Sequence, residues 1–119
     1  MRIQWAPDAE LEKCGLCSVV GRLDSDGATS FFDTLAPHVN TAYPSLLLDL
    51  HQVDWLSSAG VGALARLLRH VQDQGGMLAL FGCEPRVRTV LRICGLEAAF
   101  NIRDTAAEAR DRLRVPPTA

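Results

Sequence analysis

Two adjacent serines, Ser57 and Ser58, stand where an apolar run passes into a segment with helical spacing. The run begins Ser45-Leu46-Leu47-Leu48-Asp49-Leu50, and residues 46–50 have the length and composition of a buried strand. Behind it, Val53-Asp54-Trp55-Leu56 leads into Ser57-Ser58-Ala59-Gly60-Val61-Gly62. A buried strand that feeds a helix through a Ser/Gly turn leaves unpaired backbone N–H groups, and the positive end of the helix dipole, at one exposed point. The chemistry that suits such a point is acceptance of a phosphoryl group. A phosphoserine brings a charge of about −1.5 to −2 to a position that tolerates anions. The competing reading is structural, since serine is among the best helix N-caps. On residue types alone, the cap is favoured.

The other residues with reactive side chains give weaker patterns. Cys14-x-x-Cys17 has a spacing used by metal and redox sites, but no second pair stands at zinc-site spacing, and Cys83 and Cys94 lie far apart. If both lie in one strand, their odd separation points them to opposite faces, so they could not converge on one ion. They read as small apolar core residues. His38, His51 and His70 are assigned to a helix end, a loop and a polar helix face, and none has a partner nucleophile in a triad motif. The glycines at 60 and 62 do not make a phosphate-binding loop, and the single lysine, Lys13, is remote in sequence. Arg66, Arg69, Arg86, Arg88 and Arg92 read as a solvated face, with a docking patch as the next use. No catalytic residue, metal or cofactor is expected.

These residues need elements to position them. Residues 2–6 read as an edge strand stopped by Pro7-Asp8, and residues 16–23 as a second strand. Asp24-Ser25-Asp26-Gly27 supplies a cap for a helix with Ala28, Phe31, Phe32, Leu35 and Val39 on one face. The strand at 46–50 precedes a helix with Val61, Leu64, Leu67, Leu68 and Val71 inside and Arg66, Arg69, His70 and Asp73 outside. Gly75-Gly76 stops it. A strand over residues 77–81 leads to a helix that starts near Pro85, packs through Val87, Val90, Leu91 and Cys94, and ends at Gly95. Residues 100–102 read as a last strand, and Thr105 to Glu108 as a capping box before a helix packed through Ala109 and Leu113. Apolar strands alternating with amphipathic helices predict an α/β fold: one small, mostly parallel sheet of four or five strands flanked by four helices. One domain over residues 1–115 is expected, with residues 116–119 fraying behind Pro116-Pro117.

Charge is split unevenly. Residues 1–60 carry three basic and eight acidic side chains, residues 61–119 nine basic and six acidic. That asymmetry lacks the clustered basic residues and stacking aromatics of a nucleic-acid footprint. No run reaches membrane-spanning length and the N-terminus has no signal-peptide core, so a cytoplasmic location with free, buried cysteines is expected.

Several of these stretches taken together resemble the STAS domain family, specifically stand-alone bacterial anti-sigma factor antagonists, over residues 16–113. They are Gly21-Arg22-Leu23-Asp24, like the family's Gly-x-Leu-Asp; Leu48-Asp49-Leu50 followed by residues 53–62; Gly75-Gly76-Met77-Leu78-Ala79-Leu80; Pro85 with Val87; and Leu91 through Gly95-Leu96. The resemblance implies a small sheet flanked by helices and a non-catalytic role in partner switching. Such a domain binds an anti-sigma factor that is also a serine kinase. Phosphorylation at the start of the second helix releases it, and a serine phosphatase resets the cycle. The family's usual Asp-Ser-Ser-Gly, aligned on Gly60, falls on Ser57, Ser58 and Ala59, so the usual acceptor position holds alanine. Three outcomes stay open: Ser58 as acceptor, Ser57 as acceptor, or no phosphorylation. Ser58 is preferred as the nearer to the usual position. The docking surface implied is Asp24, Ser25, Asp54, Ser57, Ser58, Ala59, Gly60 and Gly62. STAS domains also serve membrane transporters, which implies as alternative a constitutive docking subunit of an ABC-type or other complex. Neither nucleic-acid binding nor membrane insertion is implied, and the oligomeric state is open.

Overall fold

The computed structural model describes residues 1–115, so the expected fraying of residues 116–119 lies outside the described residues. Five strands, β1 (Arg2–Pro7), β2 (Cys14–Leu23), β3 (Ser45–Leu56), β4 (Leu78–Phe81) and β5 (Ile102–Arg103), form one sheet in the order β1-β2-β3-β4-β5. β1 runs antiparallel to β2, and the other neighbours pair parallel. The parallel pairs are joined through α1 (Ser25–Leu35) with a 3₁₀ turn (Ala36–His38), α2 (Ser58–Asp73) and α3 (Pro85–Ile93), and α4 (Ala106–Arg114) follows β5. The α/β architecture with four helices and a mostly parallel sheet is as the sequence predicts.

Parallel crossovers are right-handed, so a strand order that advances in one direction puts α1, α2 and α3 on one face of the sheet. The core follows that rule. Phe31 and Leu35 of α1, Leu64, Leu67 and Val71 of α2, and Val87 and Leu91 of α3 share one apolar cluster with Leu46, Leu48, Leu50, Leu78 and Leu80. The alternate strand residues face the other way, where Cys14, Leu47 and Ala79 are covered by Ala109 of α4 with Leu113 beside it. Cys14 and Cys17 therefore do sit on opposite faces of one strand. Burial pushes both thiols up to about 12, which keeps them protonated.

Four local readings are corrected. β2 starts at Cys14, two residues early, because pairing with β1 and β3 reaches that far. β3 runs on to Leu56, so His51 lies in a strand. Its register against β2 skips a residue between Ser18 and Val20 and another between Gly21 and Arg22, so β3 carries two bulges. These place His51 and Gln52, then Asp54 and Trp55, consecutively on the surface, which hides the alternation a strand normally shows. His70 is half-buried, with Nε2 2.9 Å from the carbonyl oxygens of both Ala36 and Val39. Two acceptors require a donor, so Nε2 carries the proton and clamps the end of α1 to α2. Cys94 is the C-cap of α3 and is exposed, not part of the inner face.

A long-range clamp closes the α4 face. Asp8, whose side chain is fully buried, accepts from Arg110 at 2.8 Å and from the backbone N–H groups of Leu11 and Glu10 at 2.9 and 3.1 Å. Burial alone would raise its pKa. The Arg110 guanidinium and the two N–H groups outweigh it and hold the carboxyl below the ordinary value of 3.8. A depressed carboxylate adds stability above its unfolded pKa and loses it as pH falls through the folded value. Arg110→Ala should cost about 2–3 kcal/mol in urea unfolding at neutral pH and flatten the fall in stability below about pH 4. A variant within about 0.5 kcal/mol of the parent would show that the clamp contributes nothing.

Candidate functional site

The carboxyl ends of β2 and β3 deliver two helix N-termini side by side. Asp24 caps α1, its Oδ1 accepting the N–H groups of Asp26 and Gly27 at 3.2 and 3.3 Å. Ser57 caps α2, its Oγ accepting the N–H of Gly60 at 3.2 Å. The two caps are tied through the residue before Asp24. The backbone N–H of Ser57 donates to the Leu23 carbonyl at 3.1 Å, and the Ser57 hydroxyl points at the same oxygen at 3.5 Å.

The serines therefore differ. Ser57 is half-buried and its hydroxyl is engaged as acceptor and donor. Ser58, the first residue of α2, is exposed, and its hydroxyl makes no hydrogen bond among the described residues. An exposed, uncommitted hydroxyl on the first turn can receive a phosphoryl group without dismantling the cap. Ala59 follows, half-exposed and without an acceptor oxygen.

The two glycines also separate. Gly60 is buried, and a Cβ on it would collide with the Leu23 carbonyl and stand 2.8 Å from Leu56 Cδ1. It sits buried where the start of α2 meets the end of β2. Gly62 is exposed with nothing within 4 Å of where a Cβ would be.

Of the remaining residues with a predicted docking role, Ser25 and Asp54 are exposed, and Asp24 is half-buried by its cap. Arg22 and Trp55 join them, which sequence reasoning missed. Arg22 Nε lies 3.4 Å from Asp24 Oδ2, and its guanidinium lies 5.2 Å from the centre of the Trp55 ring. Trp55 is 44% exposed, in a chain that buries most of its large apolar side chains. No sequence signal pairs these two residues, because the second bulge in β3 sets their register. Arg22, Asp54 and Trp55 line one hollow together with Glu84 and Arg86, and Arg22 lines a second with Asp24 and Asp26, so the ends of β2 and β3 carry charges of both signs.

Asp49 Oδ1 accepts the His51 N–H at 3.0 Å and lies 2.6 Å from His51 Nδ1, holding the first bulge where β4 pairing stops, and His51 lines one hollow with Arg22, Asp54 and Trp55. The arginine face is broken up. Arg88 pairs with Glu97 and Asp104 at 3.3 and 2.6 Å, Arg86 with Glu84 at 3.5 Å, and Arg66 lies 4.1 Å over the Phe32 ring. No group of three metal-ligating side chains converges among the described residues, and none of their helices is long and apolar enough to cross a membrane.

The model of one family, described as STAS domain, matches residues 7–109. A putative anti-sigma factor antagonist, BtrV, of Bordetella bronchiseptica is 32% identical over 92 residues, which cover 75% of this chain and 79% of that protein. A second protein so named, the TM1081 homolog of Thermotoga neapolitana, is 33% identical over 76 residues, 64% of this chain and 67% of that one. The crystal structure of a putative anti-sigma factor antagonist from Thermotoga maritima superposes with a TM-score of 0.81 at 24% identity, covering 88% of this chain and 91% of that one. It shares the fold.

The two glycines provide a direct check of this geometry. Gly60→Ala should lower unfolding stability by about 2–3 kcal/mol through overpacking. Gly62→Ala should raise it by up to about 1 kcal/mol, because alanine is the better helix former at an open position. Equal effects in urea titrations would contradict the packing described.

Proposed function

The chain belongs to the STAS domain family, and we propose that it is a non-catalytic regulatory protein, an anti-sigma factor antagonist that switches partners. Its docking surface is the cleft rim formed by Asp24, Ser25, Asp54, Ser57, Ser58, Ala59 and Gly62, with Gly60 supporting it from below. Arg22 and Trp55 extend that rim. The partner is an anti-sigma factor with serine kinase activity in the cytoplasm, Ser58 is the acceptor, and a serine phosphatase removes the phosphate.

The observation that carries the reading is the division of labour between the two serines. Ser57 holds the helix start, while Ser58 is exposed with a hydroxyl free to react. The names borne by the two relatives above 30% identity supply the class of partner. A phosphate on Ser58 would rest on the helix dipole, so the domain stays folded. It would also add negative charge to a rim that already carries Asp24 and Asp54, where Arg22 is paired with Asp24 and Arg86 with Glu84. A surface that docks while moderately acidic then becomes one whose burial costs the complex an unpaired dianion.

Ala59 favours a second reading, in which the cleft docks constitutively to a membrane transport complex with an ABC-type ATPase and no phosphate cycle. The two separate by what the tagged chain retains from its own cells and by how retention responds to charge. Ser58→Asp should weaken capture of an ATP-binding serine kinase by about tenfold or more, while Ser58→Ala leaves it intact. Capture indifferent to Ser58→Asp would sink the switch, and an ABC-type ATPase retained by all three proteins would favour the second reading.

A further inference from the structure

β1 is an edge strand whose outer backbone groups can be assigned. Its register against β2 is unbroken from Arg2 opposite Val20 to Pro7 opposite Gly15. One step further along the same register, Asp8 stands opposite Cys14 and donates to its carbonyl at 2.8 Å. In an antiparallel ladder, hydrogen-bonded and non-bonded pairs alternate. Asp8 therefore marks Ala6, Gln4 and Arg2 as the residues whose backbone groups bond β2. The N–H and C=O of Ile3 and Trp5, and the C=O of Pro7, turn outward. Proline at an outward position costs β2 no bond, which is where edge strands admit it.

Edge strands normally carry protection in the form of lysine, an inward charge, a bulge or a covering element. Over residues 3–6, Ile3-Gln4-Trp5-Ala6, β1 carries no charge and no bulge; His38 and Tyr43 pack on the Trp5 ring, but no described group bonds the outward N–H of Ile3 or Trp5. Two unpaired donors and their carbonyls thus lie in an uncharged row.

We propose that this edge pairs with β1 of a second copy of the chain, antiparallel about a two-fold axis through Gln4, making one sheet continuous across two molecules. The choice of occupant follows from self-complementarity. With Gln4 opposite Gln4, Ile3 of each copy faces Trp5 of the other in a hydrogen-bonded pair. All four outward N–H groups of the dimer find carbonyl partners, and the proline that lacks a donor falls outside them. Ile3 and Trp5 point to the α1 side, where both are half-buried against the core, so the pairing covers their remaining apolar surface with each other's. Arg2, the one charged residue of the strand, comes opposite Ala6 and meets no like charge. Gln4 is exposed on the opposite side, and its two copies meet amide to amide at the axis. The interface leaves Ser57 and Ser58 outside it, while Ile3 borders the hollow lined by Arg22, Asp24 and Asp26.

Sedimentation equilibrium from micromolar to millimolar concentration, combined with amide exchange at Ile3 and Trp5, tests this. The parent chain should approach the mass of two chains as concentration rises, with exchange at those two amides slowing in step. Gln4→Lys and Gln4→Glu each place like charges face to face at the axis. Each should weaken self-association by about tenfold or more, and their equimolar mixture should restore it. A parent chain that stays monomeric throughout would overturn the proposal. So would association in which neither variant differs from the parent, or a complex at this edge with an unrelated peptide strand but never with a second copy.

Discussion

The carbonyl oxygen of Leu23 is the point on which the two ends of the site converge. It accepts the backbone N–H of Ser57, and it occupies the space a side chain on Gly60 would need. That one contact fixes how closely α2 approaches the end of β2. It places the cap of α2 beside Asp24, the cap of α1, and turns the first exposed residue of α2 outward as Ser58. Shift α2 outward by the width of a methyl group and the Ser57 N–H loses its partner, the two helix starts separate, and the surface they form together disappears. The core beneath, Leu23 and Leu56 against the inner faces of both helices, keeps the contact in place.

Much of this was legible in the sequence because it depends on local, periodic signals. The helical spacing of Val61, Leu64, Leu67 and Val71 is unmistakable and correctly placed, as is the cap at Ser57 or Ser58. The odd separation of Cys14 and Cys17 correctly puts them on opposite faces. What could not be read depends on register and on tertiary partners. Two bulges conceal the second half of β3 and produce the stacking of Arg22 on Trp55. His70 looks solvated by its helical phase, but the carbonyls of Ala36 and Val39 and the edge contact with Phe32 hold it half-buried. Asp8 and Arg110 are separated by most of the chain, so neither announces the other.

The same physics distinguishes the two serines in a way that pattern matching does not. A shift of one residue within Ser-Ser-Ala-Gly changes which hydroxyl caps and which is free. The N–H of Gly60 lies within reach of the Ser57 oxygen, so Ser57 is taken by the fold. Ser58 belongs to the helix by its backbone and to the solvent by its side chain. The acidic setting adds direction. With the Asp24 cap tied to the start of α2 through Leu23, charge added at Ser58 changes the surface more than it changes the stability of the helix beneath it.

Site-resolved mass spectrometry of the chain isolated from its own cells, sampled through growth and stress, tests the central claim most directly. The account predicts phosphate on Ser58 with Ser57 unmodified. Phosphate on Ser57, or a chain that carries none under any of these conditions, would contradict it.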